Sequence, residues 1–248
     1  MSTKFAGHRG QKIAYEVFGE GAPVILQHGF LDNRHCWTRH GYVAGLAEHF
    51  TVITIDSLGH GESDKSVGSV FYERKARSGD VVAVMNQENI DRAHYVGYSM
   101  GGWMGMGMIN YFPNRLISLT LGGWNPSVSH ASPNQTEGMD INQFLELAKA
   151  YAPDMTAWVT EVVKPALSDC MSAFAVQDIS EEVLLKHSIP VHFLIGRDDY
   201  YAYESVVALH EKIQNASLSV VPGDHVGALE AHSSDSLSAI LNFLKGIG

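Results

Sequence analysis

A serine between glycines, directly after a β-prone apolar run and directly before a helical one, constrains this chain more than any other feature. Ala93-His94-Tyr95-Val96 leads into Gly97-Tyr98-Ser99-Met100-Gly101-Gly102, and Trp103-Met104-Gly105-Met106-Gly107-Met108-Ile109 follows as a buried helix. Strand, G-x-S-x-G turn and helix, in that order, hold a serine on a tight turn with its hydroxyl exposed. The flanking glycines admit strained dihedrals and let the helix pack close to the strand without Cβ clashes. A hydroxyl held this way is a poor nucleophile near neutral pH. It needs a base within hydrogen-bond reach and a group to orient that base.

The rest of the chain has the rhythm such a turn requires. Strand-like runs at residues 12–18, 23–27, 51–55, 94–97, 116–121, 190–195 and 218–221 alternate with helical stretches at 72–89, 103–112, 204–214 and 234–244. That alternation predicts an α/β fold with a mostly parallel central sheet and helices on both faces. The run Thr51-Val52-Ile53-Thr54-Ile55 is apolar and β-branched, as a strand covered on both faces should be. The first two runs, joined by Gly19-Glu20-Gly21, are expected to pair antiparallel. Residues 126–179 break the rhythm with polar loop and amphipathic segments at 141–151 and 156–168. They read as a small helical cap, so the expected organisation is a core of residues 1–125 and 180–248 carrying an insertion at 126–179.

Composition removes several classes of function. The formal net charge is −10, and no cluster of Lys and Arg interrupts it, so nucleic acid and anionic membrane are not expected partners. Cys36 and Cys170 lie far apart and form no C-x-x-C pair, which points to reduced, buried thiols. The first residues lack the apolar core of a secretory signal, and no apolar run approaches membrane-spanning length. A cytoplasmic location is the expectation. No ligand spacing for a metal or cofactor is visible, and none is expected.

Partners for Ser99 appear downstream, at strand ends and in the order acid then histidine. The run Val191-His192-Phe193-Leu194-Ile195 ends in Gly196-Arg197-Asp198-Asp199, which offers two carboxylates. Ser219-Val220-Val221 ends in Pro222-Gly223-Asp224-His225. Of the 13 histidines, His225 is singled out by this position.

Together these segments make the chain resemble the α/β-hydrolase superfamily, specifically its serine esterases and lactonases, over almost its whole length. Gln27-His28-Gly29-Phe30 resembles the family's oxyanion turn, and Asp56-Ser57-Leu58-Gly59-His60-Gly61-Glu62-Ser63 its D-x-x-G-x-G-x-S loop. Gly97–Gly102 resembles the nucleophile elbow, Gly196-Arg197-Asp198-Asp199 the G-x-x-D loop, and His225 the late histidine. The resemblance implies Ser99 as nucleophile, Asp199 rather than Asp198 as acid, and His225 as base. It also implies backbone N–H groups of Phe30 and Met100 as oxyanion donors, His28 as a brace for that turn with His60 packed beside it, and Asp56 as a turn-stabilising carboxylate. Leu31 and Trp124 follow strands where substrate would sit; Trp124 suits either acyl contact or packing under the cap. Tyr200, Tyr201 and Tyr203 are expected to pack at a helix entry, and Trp103 in the core.

The implied activity is cofactor-free hydrolysis of a small or medium, uncharged carboxylic ester or lactone through an acyl enzyme. Relatives that cleave carbon–carbon bonds of dienones also use serine, but usually carry more glycine after His-Gly than Phe30-Leu31-Asp32 provides. Lyases, perhydrolases and ligand receptors share the framework. Haloalkane dehalogenases and epoxide hydrolases of the superfamily use aspartate where this chain has Ser99.

Overall fold

The computed structural model of the protein describes residues 2–126, 139–174 and 178–247. It contains the strands β1 (Lys4–His8), β2 (Gln11–Phe18), β3 (Ala22–Gln27), β4 (Phe50–Ile55), β5 (Ala93–Tyr98), β6 (Leu116–Gly122), β7 (Val191–Gly196) and β8 (Ala216–Val221). The first helices are α1 (Cys36–Arg39), α2 (Tyr42–Leu46), α3 (Arg74–Gln87) and α4 (Met100–Tyr111). Between β6 and β7 come α5 (Ile141–Tyr151), α6 (Pro153–Thr156), α7 (Lys164–Phe174) and α8 (Glu182–Leu185), and α9 (Tyr203–His210) and α10 (Ser233–Lys245) complete the fold.

The eight strands form one sheet in the order β1-β2-β4-β3-β5-β6-β7-β8. From β4 to β8 every neighbouring pair is parallel, and only β1–β2 and β2–β4 are antiparallel. The expected pairing of the first two runs is therefore corrected. Strands β2 and β3 do run in opposite directions, but β4 lies between them and pairs with both. The glycine turn reverses the chain without closing a hairpin. The hairpin belongs instead to β1 and β2, where Arg9 and Gly10 both take positive φ (53° and 77°), as a tight two-residue turn requires.

Strand periodicity explains the two cores. Ile25, Ile53, Ile55, Tyr95, Phe193 and Ile195 face a cluster completed by α3, α4, α5, α7, α8 and α9. Val24, Leu26, Val52, Val96, Tyr98 and Leu194 point the other way, into a cluster with α1, α2 and α10. Neighbouring residues on each strand thus enter opposite layers, which is why these strands are apolar toward both faces rather than alternating. Truncating one such residue, for example Leu26→Ala, costs about 2–5 kcal/mol. Cys36 and Cys170 are free and buried, and Trp103 is buried in the larger cluster.

Among the described residues, 139–174 contribute helices and no strand; residues 127–138 and 175–177 of the expected cap lie outside the description. Helix α5 starts at Ile141, as the sequence predicts. Asp140 caps it by accepting from the backbone N–H groups of Asn142 and Gln143 (2.8 and 2.9 Å), and Gln143 Oε1 accepts from Asp140 N in return, a reciprocal capping box. The helix expected at 156–168 is not continuous. Helix α6 ends at Thr156 and α7 begins at Lys164, because Pro165 tolerates only the first turn of a helix. No helix among the described residues is long and apolar enough to cross a membrane.

Candidate active site

Strand β5 is buried throughout and delivers Ser99 to the carboxyl edge of the sheet. Ser99 takes φ 54° and ψ −115°, a conformation that costs a residue with a Cβ free energy. It is held there from both sides: its N–H donates to Gly122 O at 2.7 Å, and its carbonyl accepts from Trp103 N at 3.0 Å, opening α4. The glycines earn their place by close approach. A Cβ on Gly97 would run into the Gly101 carbonyl, and one on Gly101 into the carbonyl of Gln27 on β3.

His225 and Asp199 arrive from the ends of β8 and β7. His225 Nε2 lies 3.0 Å from Ser99 Oγ, and His225 Nδ1 lies 2.8 Å from Asp199 Oδ2. A carboxylate only accepts, so Nδ1 carries the proton and Nε2 presents its lone pair to the serine hydroxyl. The Asp199 side chain is fully buried while His225 stays one-third exposed. Asp199 Oδ1 accepts from Tyr201 N at 3.3 Å. Asp198 is exposed. Behind the histidine, Asp224 Oδ1 accepts from Gly227 N (2.7 Å) and Val226 N (3.2 Å), closing the loop into a turn.

The turn after β3 is braced as expected. His28 Nε2 accepts from Ser57 N at 3.0 Å, which leaves Nδ1 to donate to Gly29 O at 2.7 Å. His60 Nε2 accepts from Leu31 N at 3.3 Å, and its Nδ1 donates to Leu58 O at 3.2 Å. Burial lowers both histidines below the ordinary imidazole value, His60 strongly, so each is a neutral ring of fixed tautomer. Asp56 anchors its loop by accepting from the backbone N–H groups of Arg34 and Glu62, each at 2.7 Å, and from the Arg34 guanidinium.

Met100 is the first residue of α4, where backbone N–H groups have no intrahelical acceptor and the helix dipole is positive. Phe30 is nearly buried, with its ring 5.5 Å from His60 and 5.4 Å from Phe144 of α5. Leu31 is buried in the larger core. Trp124 follows β6 and lies so close to α4 that a Cβ on Gly102 would meet it. Tyr203 opens α9; Tyr200 is exposed rather than packed at the helix entry, and Tyr201 is half exposed.

Several contributors were not singled out by sequence. Tyr98 donates its O–H to His225 O at 2.7 Å. Trp158, between α6 and α7, donates its indole N–H to Leu31 O at 2.8 Å. Arg34 joins Asp56 to Glu62. Arg77 of α3 is fully buried, with Nη1 3.3 Å from Met100 Sδ and 3.0 Å from Cys170 Sγ of α7. Among the described residues its Nε and Nη2 have no hydrogen-bond partner and no carboxylate ion-pairs with it. Each of these contacts joins distant segments, and the only local signal was that Tyr98 directly precedes the serine. Two surface clefts, of about 420 Å³ beside His192 and Phe243 and about 500 Å³ beside Val17 and Ile90, include none of the residues around Ser99. No cluster of three or more metal-ligating side chains occurs among the described residues.

A parallel α/β sheet with a strained serine elbow at its carboxyl edge defines a well-populated class of folds. The family model for the alpha/beta hydrolase fold matches residues 22–162, more than half of the chain, and the chain belongs to that family. An uncharacterised protein of Mycobacterium bovis is 35% identical over 131 residues, covering 52% of this chain and 37% of that protein. The fluoroacetate dehalogenase of a Burkholderia species is 34% identical over 108 residues, 42% of this chain and 35% of that protein. The chain thus spans less than half the length of these curated relatives. The enol-lactonase from Burkholderia xenovorans LB400 superposes with a TM-score of 0.80 at 20% identity, covering 98% of this chain and 100% of that one, which shows the shared fold.

Proposed function

We propose that the chain is a serine hydrolase that cleaves small to medium carboxylic esters or lactones through an acyl enzyme. The observation that carries this reading is the hydrogen-bonded series from buried Asp199 through His225 to Ser99, at 2.8 and 3.0 Å. His225 takes the Ser99 proton as Oγ attacks the acyl carbon, and Asp199 holds the tautomer and stabilises the imidazolium that forms. The oxyanion is received by the N–H groups of Met100 and Phe30; losing one such donor costs about 3–4 kcal/mol of transition-state stabilisation. Protonated His225 then returns its proton to the leaving alkoxide, and water activated by neutral His225 releases the acid. In a lactone the leaving alkoxide stays attached, and the same steps open the ring. Helices α5 to α7 serve as the cap, and no cofactor enters the cycle.

The nucleophile itself argues for an acyl substrate over the carbon–halogen bond of the dehalogenase relative. Displacement at a saturated carbon by serine would leave an ether, which histidine and water do not cleave. A carboxylate nucleophile leaves an ester, which they do. Serine returns to its starting state only when the bonded carbon is an acyl carbon.

The test is labelling with a fluorophosphonate, followed by a panel of p-nitrophenyl esters from acetate to octanoate, aliphatic lactones and dienones. Labelling at Ser99 with turnover of esters or lactones is expected. An unlabelled Ser99 with no turnover rejects the proposal, and turnover confined to dienones replaces it with carbon–carbon bond hydrolysis.

A further inference from the structure

Three consecutive peptide groups in the turn after β3 are each held by a different side chain. The peptide joining Gly29 to Phe30 is fixed through its carbonyl, which accepts from His28 Nδ1 at 2.7 Å. The next, joining Phe30 to Leu31, is fixed through its N–H, which donates to His60 Nε2 at 3.3 Å. The third, joining Leu31 to Asp32, is fixed through the Leu31 carbonyl, which accepts from Trp158 Nε1 at 2.8 Å. Leu31 needs this restraint, because its φ of 66° lies in the left-handed region, which a residue with a Cβ adopts only when its surroundings impose it.

The three restraints have different origins. His28 belongs to the turn and His60 to the loop after β4, both parts of the core. Trp158 belongs to the insertion between β6 and β7, at the break between α6 and α7. Its ring also lies 5.8 Å from the His60 ring, which lies 5.5 Å from Phe30. Phe30 in turn meets Phe144 of α5 at 5.4 Å. The insertion therefore touches the turn twice, once through rings and once through a directed hydrogen bond.

We infer that Trp158 is a positioning residue for the oxyanion site, and that seating of the insertion helices sets the aim of the Phe30 N–H. This rests on the proposed serine-hydrolase function. With the indole N–H in place, Leu31 stays left-handed and the preceding peptides keep the orientation that points Phe30 N–H toward the oxyanion. Without it, Leu31 is held left-handed only by the longer bonds from Asp32 N to Gly29 O and from Leu31 N to His60, each 3.3 Å, and the Phe30 N–H loosens from its aim. The effect falls on the transition state, since a neutral ground-state carbonyl draws less on that donor than an oxyanion does.

Trp158→Phe removes the donor and keeps an aromatic ring against His60. With an ester that the parent hydrolyses, kcat is expected to fall about tenfold with KM within about twofold. Affinity for a trifluoromethyl ketone, whose serine adduct carries the oxyanion, should fall by the same factor as kcat/KM. Active-site titration should give the parental titre, which a merely structural defect would lower in step with activity. Should the variant not be recovered folded, Trp158→Leu serves in its place. Unchanged kcat and ketone affinity overturn the inference, as does a loss of activity matched by lost titre. If the parent itself is neither labelled at Ser99 nor active on esters and lactones, the function reading fails, and this inference with it. A labelled, active parent with an unaffected variant removes this inference alone.

Discussion

The phenol of Tyr98, the residue immediately before Ser99, donates to the main-chain carbonyl of His225 at 2.7 Å. Strand β5 therefore positions the serine through its backbone and steadies the histidine loop through the neighbouring side chain. Burial pushes the Tyr98 hydroxyl well above the ordinary phenol value, so it remains a donor throughout any working pH range.

Tyr98→Phe is expected to lose about 1 kcal/mol of stability, the net worth of one hydrogen bond, and to lower kcat several-fold by loosening His225. Thermal unfolding and steady-state kinetics check the two effects. An unchanged kcat would separate the loop anchor from the chemistry.

Replacing the serine tests strain and reactivity together. Both Ser99→Ala and Ser99→Gly should abolish turnover. Only glycine relieves the positive φ, so Ser99→Gly should be the more stable of the two by about 1–2 kcal/mol, or some 2–8 °C in Tm for a chain of this size. Equal melting temperatures would show that the turn stores no such strain.

The paired carboxylates make a sharp comparison. Asp199→Asn should lower kcat by about 10³–10⁴-fold, because an amide facing Nδ1 permits the tautomer that cannot take the serine proton. Asp198→Asn should leave turnover within assay scatter, since that side chain is exposed. If the second variant is the inactive one, the acid has been misassigned.

Stability should depend on pH through histidines buried in the sheet. Burial pushes His192 down to about 4, from the model-peptide value of 6.5. The unfolded chain then binds the extra proton between those values and the folded protein does not. The stability is fully present above about pH 6.5 and is lost as pH falls toward 4. Denaturant unfolding across this range should show that loss, and His192→Gln should reduce its slope by up to about 1.4 kcal/mol per pH unit. An unaltered slope would exclude His192 as a source.

Among the described residues no carboxylate pairs with the buried Arg77 guanidinium, which lies 6.0 and 5.8 Å from the rings of Tyr72 and Trp103. A buried cation lacking a carboxylate partner is destabilising, so Arg77→Met is expected to raise stability by about 1–3 kcal/mol. A lower melting temperature would show that its contacts with Met100 and Cys170 outweigh the desolvation.

What the sequence disclosed was local. The serine turn, the His-Gly turn and the loops carrying Asp199 and His225 are short patterns at strand ends, and their geometry follows from glycines and strand polarity a few residues away. What it withheld depends on distant partners. Strand β1 escaped notice because only Ala6 in Lys4-Phe5-Ala6-Gly7-His8 is buried, which leaves no alternation to read. The placement of β4 between β2 and β3, the restart of a helix at Lys164, and the bond from Trp158 to Leu31 all arise from packing between separated segments. Only Pro165 gave local warning of any of them.

The strand order also places a burden on β4. Strands β2 and β3 follow one another in the chain yet cannot pair, because the space between them is reserved for Phe50–Ile55. Until that segment docks, Val24, Ile25 and Leu26, apolar toward both faces, have no ladder on the side away from β5. A chain in which β4 has not docked presents an apolar strand as an open edge, the arrangement most prone to pair with another molecule. Covering that edge is therefore a second task of β4 besides extending the sheet, and dilution disfavours association of any chain in which it is open.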